Sequence, residues 1–216
     1  MGIAERKERQ RAELREQILA AARKIVLDEG YEQLTMRKIA DAIEYSPAAI
    51  YLYFENREAI GRQLCAESFE HLIAYMAPVS AIADPFERLL SMGRCYARFG
   101  LENPREYRLL FMTDAAYMQA LFPPDHQKDD HPGERAFQFV VDIVTSARDA
   151  GAIEAADPIA VAEMLWTAVH GIVSLALTCS EAIETPLETL VETMCATIGR
   201  GLATPAARAA HVVPAR

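Results

Sequence analysis

One signal recurs along this chain, a short polar side chain directly before proline: Ser46-Pro47, Asp84-Pro85, Asn103-Pro104, Asp157-Pro158 and Thr185-Pro186. Serine, threonine, aspartate and asparagine accept hydrogen bonds from the free amides of a helix's first turn. Proline has no N–H to leave unpaired at the first helical position. Each pair therefore reads as a helix start, and its proline stops any helix arriving from upstream. The segments so marked are helices over about residues 47–54, 85–100, 104–121, 158–178 and 186–201.

The rest of the chain carries the same period. Leu14, Ile18, Ala21, Ala22, Ile25 and Val26 recur at three- and four-residue intervals and give one apolar stripe over about 8–29, closed by Gly30. Thr35 caps a two-turn helix bearing Met36, Ile39 and Ala40, and Asn56 caps one that ends before Pro78. A polar, proline-bounded loop at 123–133 precedes a helix over about 134–150. No segment alternates with period two and β-branched enrichment, and no internal repeat is found. The expectation is an all-α fold of about nine helices: three in a head, a connecting helix, and a bundle of long ones. The domains are drawn as 1–56, 57–204 and a disordered, alanine-rich tail at 205–216.

Charge is distributed unevenly. Residues 1–62 hold 11 Lys+Arg and 11 Asp+Glu, leaving 11 and 20 behind them, so the net charge of −9 resides in residues 63–216. A uniformly acidic chain argues against nucleic acid; here the front is rich in base, with Arg6, Lys7, Arg9, Arg11, Arg15, Arg23, Lys24, Arg37 and Lys38. Hydrophobic residues at 51% and charged ones at 25% describe a folded, soluble composition. The polar opening residues contain no signal-peptide core, and the longest apolar stretch, Trp166 to Ala176, is interrupted by His170 and Ser174. A cytoplasmic protein without a membrane partner is expected. Cys65, Cys95, Cys179 and Cys195 lie far apart, which fits free thiols and no zinc site.

Three helices in the head, with a cap-and-proline start only a few residues after the second, fit a helix-turn-helix, whose second helix projects its N-terminal end into the major groove. The residues Leu34-Thr35-Met36-Arg37-Lys38-Ile39-Ala40 and Tyr45-Ser46-Pro47-Ala48-Ala49-Ile50-Tyr51-Leu52-Tyr53-Phe54-Glu55-Asn56-Arg57 resemble the N-terminal domain of the TetR family of bacterial regulators. That resemblance covers about residues 14–62. It implies nine helices with the fourth as connector, and a homodimer built on the last two helices. It also implies a palindromic operator and a repressor relieved by a small-molecule effector. On the matching positions the DNA-binding residues are Thr35, Arg37, Ser46, Pro47, Ala48, Tyr51, Tyr53 and Arg57. Hydroxyls and cations there position the helix on phosphates, while the small tip at Pro47 and Ala48 reaches base edges. Met36, Ile39, Ala40, Ile50 and Phe54 are assigned to the head's core. Two positions depart from the family pattern: Glu44 where the turn usually carries glycine, and Leu52 where a basic or polar contact is common.

Behind the head, Trp166-Thr167-Ala168-Val169-His170-Gly171 is similar to the Trp-His-Gly signature of one C-terminal subclass. Trp166 and His170 share a helix face, and Gly171 is expected to permit close helix approach. His170 is open to two readings, a ligand partner or a satisfied interior histidine. The candidate effector pocket is Tyr96, Phe99, Phe111, Asp114, Tyr117, Phe137, Trp166 and His170. The candidate dimer stripe is Leu187, Leu190, Val191, Met194 and Ile198. No GxSxG, P-loop, GxGxxG or HExxH occurs, so neither an enzyme nor a cofactor is expected. His126 and His131 with Asp125, Asp129 and Asp130 read as a solvated loop rather than a metal site. The rival reading is a helical small-molecule-binding or scaffolding protein without DNA binding.

Overall fold

The computed structural model describes residues 2–112 and 132–211. Asp114, Tyr117, the His126/His131 loop and the end of the helix expected to reach residue 121 lie outside the described residues. Ten α-helices occur among the described residues: α1 Ile3–Glu29, α2 Met36–Ala42, α3 Pro47–Tyr51, α4 Arg57–Met76, α5 Pro85–Glu102, α6 Pro104–Phe111, α7 Pro132–Asp149, α8 Pro158–Thr178, α9 Leu187–Leu202 and α10 Pro205–Ala210. The fold is all-α, with a three-helix head and a larger C-terminal bundle. The caps read from sequence act as such: Ser46 on Ala49 N–H, Asn56 on Ala59 N–H, Asp84 on Glu87 N–H, and Asp157 on Ile159 and Ala160 N–H. Two starts differ: the Asn103 side chain donates back to the Phe99 carbonyl at 3.1 Å, and α9 starts one residue later than Thr185-Pro186 indicates, with Pro186 at the cap and no side-chain bond.

Two compact units divide the chain. The first holds residues up to Ser68 together with 108–112, and the second holds 69–107 and 132–211. The division falls inside α4 rather than at residue 56. Early α4 is tied to the head: Arg23 of α1 pairs with Glu67 at 2.7 Å, and Ile60 and Leu64 are fully buried. The head's core contains Ile18, Ala22, Ile39, Ala40, Ile50 and Phe54, with α2 packed against both α1 and α3.

In the second unit α5 packs against α7, α8 and α9. The α5–α8 approach depends on Gly100, where a Cβ would lie 2.5 Å from Val173 Cγ1 and 2.9 Å from Tyr107 Cδ2. Gly171, expected to serve that purpose, faces open space instead. Residues 205–210, expected in a disordered tail, form α10. Thr204 accepts from Ala207 N–H at 3.2 Å and donates to the Gly151 carbonyl at 2.8 Å, and Glu154 N–H reaches the Leu202 carbonyl at 2.8 Å. Thr204-Pro205 is a sixth polar-proline start, masked in the sequence by its alanine-rich surroundings.

Replacing Gly100 with alanine improves helix propensity by about 1 kcal/mol but overpacks a closed contact, which typically costs about 1–3 kcal/mol. The expected result is a net loss of about 1 kcal/mol or more, read as a lower urea midpoint at unchanged m-value.

Candidate functional site

The head presents the sequence-predicted DNA residues in three conditions. Thr35, Arg37, Ser46, Pro47, Ala48 and Tyr51 are exposed, at the first turns of α2 and α3 and along α3. Thr35 Oγ1 accepts from Lys38 N–H at 3.1 Å and Ser46 Oγ from Ala49 N–H at 3.3 Å. Each hydroxyl still has its hydrogen to donate. Tyr51 is 57% exposed and Leu52 75%. Tyr53 is half-buried, with the Arg11 guanidinium 6.0 Å over its ring. Arg57 is engaged inward: its Nε donates to Glu58 at 3.0 Å and its guanidinium lies 5.0 Å over the Tyr31 ring. The Glu58 hydrogen bond raises the arginine's pKa further. Arg57 is thus a brace inside the head rather than a free cation.

The turn between α2 and α3 is built on Glu44, whose φ is 59°. Tyr45 N–H reaches back to the Ala40 carbonyl at 3.0 Å, closing α2 with the left-handed residue that this motif normally gives to glycine. A carboxylate-bearing residue accepts this backbone at about 1 kcal/mol, and its exposed side chain stays in solvent.

In the second unit Trp166, Tyr96, Tyr107, His170 and Ser174 form one hydrogen-bonded chain. Trp166 Nε1–H donates to Tyr96 Oη (3.0 Å), Tyr96 to Tyr107 Oη (3.3 Å), and Tyr107 to His170 Nδ1 (2.6 Å). With Nδ1 accepting, Nε2 carries the proton and donates to Ser174 Oγ at 3.2 Å. Burial lowers the His170 pKa, keeping the ring neutral, and pushes the Tyr107 hydroxyl up to about 12 and that of Tyr96 higher still. The histidine is satisfied by its neighbours, which is the second of the two readings of the sequence.

Beside this chain, α5, α8 and α9 enclose an apolar cavity of about 40 Å³. Its wall includes Leu89, Gly93, Tyr96, Trp166, Val169 and Cys195. Set against the roughly 300–1,000 Å³ of a small-molecule pocket, this cavity admits an organic effector only if the helices part. Of the pocket residues read from sequence, Tyr96 and Trp166 line it. His170 stands behind them, Phe137 packs on Trp166 with ring centres 6.0 Å apart, and fully buried Phe99 packs on His71 and Tyr75. Phe111 belongs to the first unit. Leu89, Val169 and Cys195 were missed because apolar helix positions read alike whether they face a neighbour or a gap. Gly93 was the available signal, since a Cβ there would meet Cys195 Sγ at 3.2 Å.

The dimer stripe read on α9 is largely consumed within the chain. Val191 is buried, and Met194 and Ile198 line the cavity, leaving Leu187 and Leu190 half-buried. The uncovered apolar helix is α8, where Ile159, Met164 and Leu175 are 53%, 42% and 52% exposed. Contrary to the sequence reading, α8 is long and apolar enough to cross a membrane by length and composition, with a mean hydropathy of 1.6. Its Trp166, His170 and Ser174 are held in the polar chain just described. Among the described residues no cluster of histidine, cysteine or carboxylates is arranged to hold a metal.

Residues 18–64 match the family described as bacterial regulatory proteins, tetR family, and residues 89–198, just over half of the chain, match the Tetracyclin repressor-like, C-terminal domain. The chain belongs to the TetR family. A Haemophilus influenzae protein described as an uncharacterized HTH-type transcriptional regulator is 30% identical over 95 residues, 44% of this chain. The chain spans about half (51%) of that relative's length. Two solved structures share the TetR-type fold. A TetR family transcription regulator from Marinobacter aquaeolei is 22% identical with a TM-score of 0.68, over 90% of this chain and 98% of its own. The fatty acid degradation regulator FadR from Bacillus halodurans is 16% identical with a TM-score of 0.68, over 85% and 93%.

Because His170 is held neutral in the fold, the unfolded chain takes up its proton first as pH falls from the ordinary value of 6.5. Stability is expected to be full above that pH and to decline below it. In His170→Gln this component of the pH dependence disappears, as measured by melting temperature between pH 5 and 8.

Proposed function

We propose that this TetR-family chain is a ligand-responsive transcriptional repressor of the cytoplasm. It binds a palindromic operator as a homodimer and is released by a small molecule bound in the C-terminal unit. It acts by binding, without catalysis or cofactor. The observation that carries this reading is the exposed tip of α3. Ser46, Pro47, Ala48 and Tyr51 are free of intramolecular packing on a helix whose other face, at Ile50, is fully buried. A helix held rigidly from behind with a small-residue tip is what entry into a major groove requires. Tyr51 donates to a phosphate, Arg37 lies at the groove edge, and the small tip reads bases. Arg57, committed to Glu58 and Tyr31, supports this surface by holding the start of α4.

The homodimer uses α8. Met164, Ala168, Gly171 and Leu175 follow one another at four-, three- and four-residue steps and so share a face. Gly171 has nothing within 4 Å of its would-be side chain, so that a second helix can approach its backbone. A solvent-exposed apolar stripe of this length is a liability unless covered. The Trp166, His170 and Gly171 positions support membership of the Trp-His-Gly subclass: Trp166 lines the effector cavity, His170 holds the polar chain behind it, and Gly171 belongs to the dimer face. Effector entry parts α5, α8 and α9, and the displacement passes into α4, a continuous helix whose residues 57–68 belong to the head's unit. Effector and operator are then coupled through one equilibrium between two head spacings.

Purified protein is expected to retain duplex from its own upstream region at moderate salt in a shift assay. Tyr51→Ala is expected to weaken that binding roughly ten- to a hundredfold, the worth of one hydrogen bond to a charged phosphate. A protein that retains none of this DNA, with Tyr51→Ala changing nothing, defeats the regulator reading. Independently, Leu175→Glu places a charge in the α8 stripe and is expected to convert the dimer to monomer in sedimentation; a dimer of unchanged mass would place the interface elsewhere.

A further inference from the structure

The walls of the cavity between α5, α8 and α9 are held unequally. On one side the hydrogen-bonded chain from Trp166 through Tyr96 and Tyr107 to His170 ties α8 to α5. On the other side α9 meets α5 across glycines and flexible side chains. A Cβ on Gly93 would stand 3.2 Å from Cys195 Sγ, and one on Gly199 would stand 2.7 Å from Leu90 Cδ2. Met92 and Met194 line the space, and unbranched methionine adapts its shape to whatever packs against it. The α9 helix starts at Leu187 with no side-chain cap bond. Its far end is fastened by backbone bonds from Glu154 N–H to the Leu202 carbonyl and from Thr204 N–H to the Ala152 carbonyl. Along its length, Glu192 accepts from Arg94 Nε at 2.7 Å, and that carboxylate is half exposed. A helix fastened at one end and tied elsewhere by a surface ion pair is the weaker wall.

The chemistry of the wall is uniform. Among the described residues none that lines the cavity is charged, and the side-chain polar atoms there belong to Tyr96, Trp166 and Cys195. All three are engaged: Trp166 Nε1–H on Tyr96, Tyr96 O–H on Tyr107, and the Cys195 thiol toward the Leu90 carbonyl at 3.8 Å. Burial raises the pKa of the Tyr96 hydroxyl and of the Cys195 thiol, so neither supplies an anion at neutral pH. A carboxylate or ammonium entering here meets no opposite charge, and an unpaired charge in such surroundings costs more than apolar contact returns. Hydrocarbon meets no such penalty, since apolar cavities in proteins stay dry and take up molecules such as benzene.

We propose that this cavity binds a neutral, hydrocarbon-rich small molecule, which enters by displacing α9. Such a molecule is the effector class for the ligand-responsive reading above, on which this inference rests. Acids, amines and phosphorylated compounds are excluded because the wall offers them no counter-charge.

Trp166 is the single tryptophan of the chain and stands in the wall, so its fluorescence reads occupancy directly. Full-length protein is titrated at pH 7 with matched probes. The compounds 1-octanol, octanoate and octylammonium share one chain, and toluene, benzoate and benzylammonium share one ring. A saturable change in fluorescence is expected with 1-octanol, toluene or both, and binding weaker by roughly tenfold or more with every charged counterpart. Arg94→Ala unties α9 and is expected to tighten neutral-probe binding about two- to fivefold, the worth of a partly exposed ion pair. Val169→Phe fills the cavity and is expected to abolish the response; if that variant does not fold, the wild-type comparison of neutral with charged probes decides alone. Charged probes bound as well as neutral ones, or no probe bound at all, overturn the ligand class. Unchanged or weaker binding by Arg94→Ala overturns α9 as the yielding wall. A shift assay on the upstream duplex separates these results from the regulator reading. Bound neutral probe is expected to release the duplex, and a duplex still retained overturns the probe's class as effector. Protein that retains the duplex but takes up no probe sinks the ligand class and leaves the regulator standing. Protein that takes up neutral probe and retains no duplex supports the ligand class and defeats the regulator.

Discussion

The contact on which the second unit depends is the approach of α5 to α8 at Gly100. With no side chain there, Val173 and the Tyr107 ring come to within about 3 Å of where a Cβ would stand. Two consequences follow from that proximity. Tyr96, one turn before Gly100 on α5, comes within hydrogen-bond reach of Trp166 on α8, and Tyr107 comes within 2.6 Å of His170. From Trp166 Nε1–H to His170 Nε2–H each donor in this chain has an acceptor, which is the condition under which a buried polar network holds a bundle in one arrangement rather than weakening it. The apolar cavity beside it is small because the helices are held this close.

The head follows a different logic. Its core is ordinary aliphatic packing, and its distinctive features are at the surface: an αL glutamate in the turn and an α3 tip without packing partners. Arg57 faces the other way. Its neighbours Glu58 and Tyr31 hold it inside, where it fixes the start of α4.

Much of the local structure was legible in the residues. Cap-and-proline pairs marked the starts of α3, α5, α6 and α8, the aliphatic period located the head's core at Ile18, Ile39 and Ile50, and Glu44 stood out in the turn where its φ is 59°. Errors arose where a local signal had two meanings. The stripe on α9 reads as an interface, yet Met194 and Ile198 face a cavity in the same chain. Gly171 reads as a packing glycine, yet the close approach is made by Gly100. The alanine-rich end reads as disorder, although Thr204 closes it with two hydrogen bonds.

By itself, then, the sequence determined the all-helical fold, most of its helices, the helix-turn-helix and the family likeness. All of these rest on interactions spanning a few residues: caps, turn conformations and helical periodicity. Only the tertiary structure decided which apolar face is buried and which is exposed, that Arg57 is braced by Glu58 and Tyr31, and that His170 is already satisfied. Those outcomes depend on pairs such as Tyr107 with His170 or Gly100 with Val173, more than 60 positions apart. No periodicity within one helix contains information about what stands opposite it.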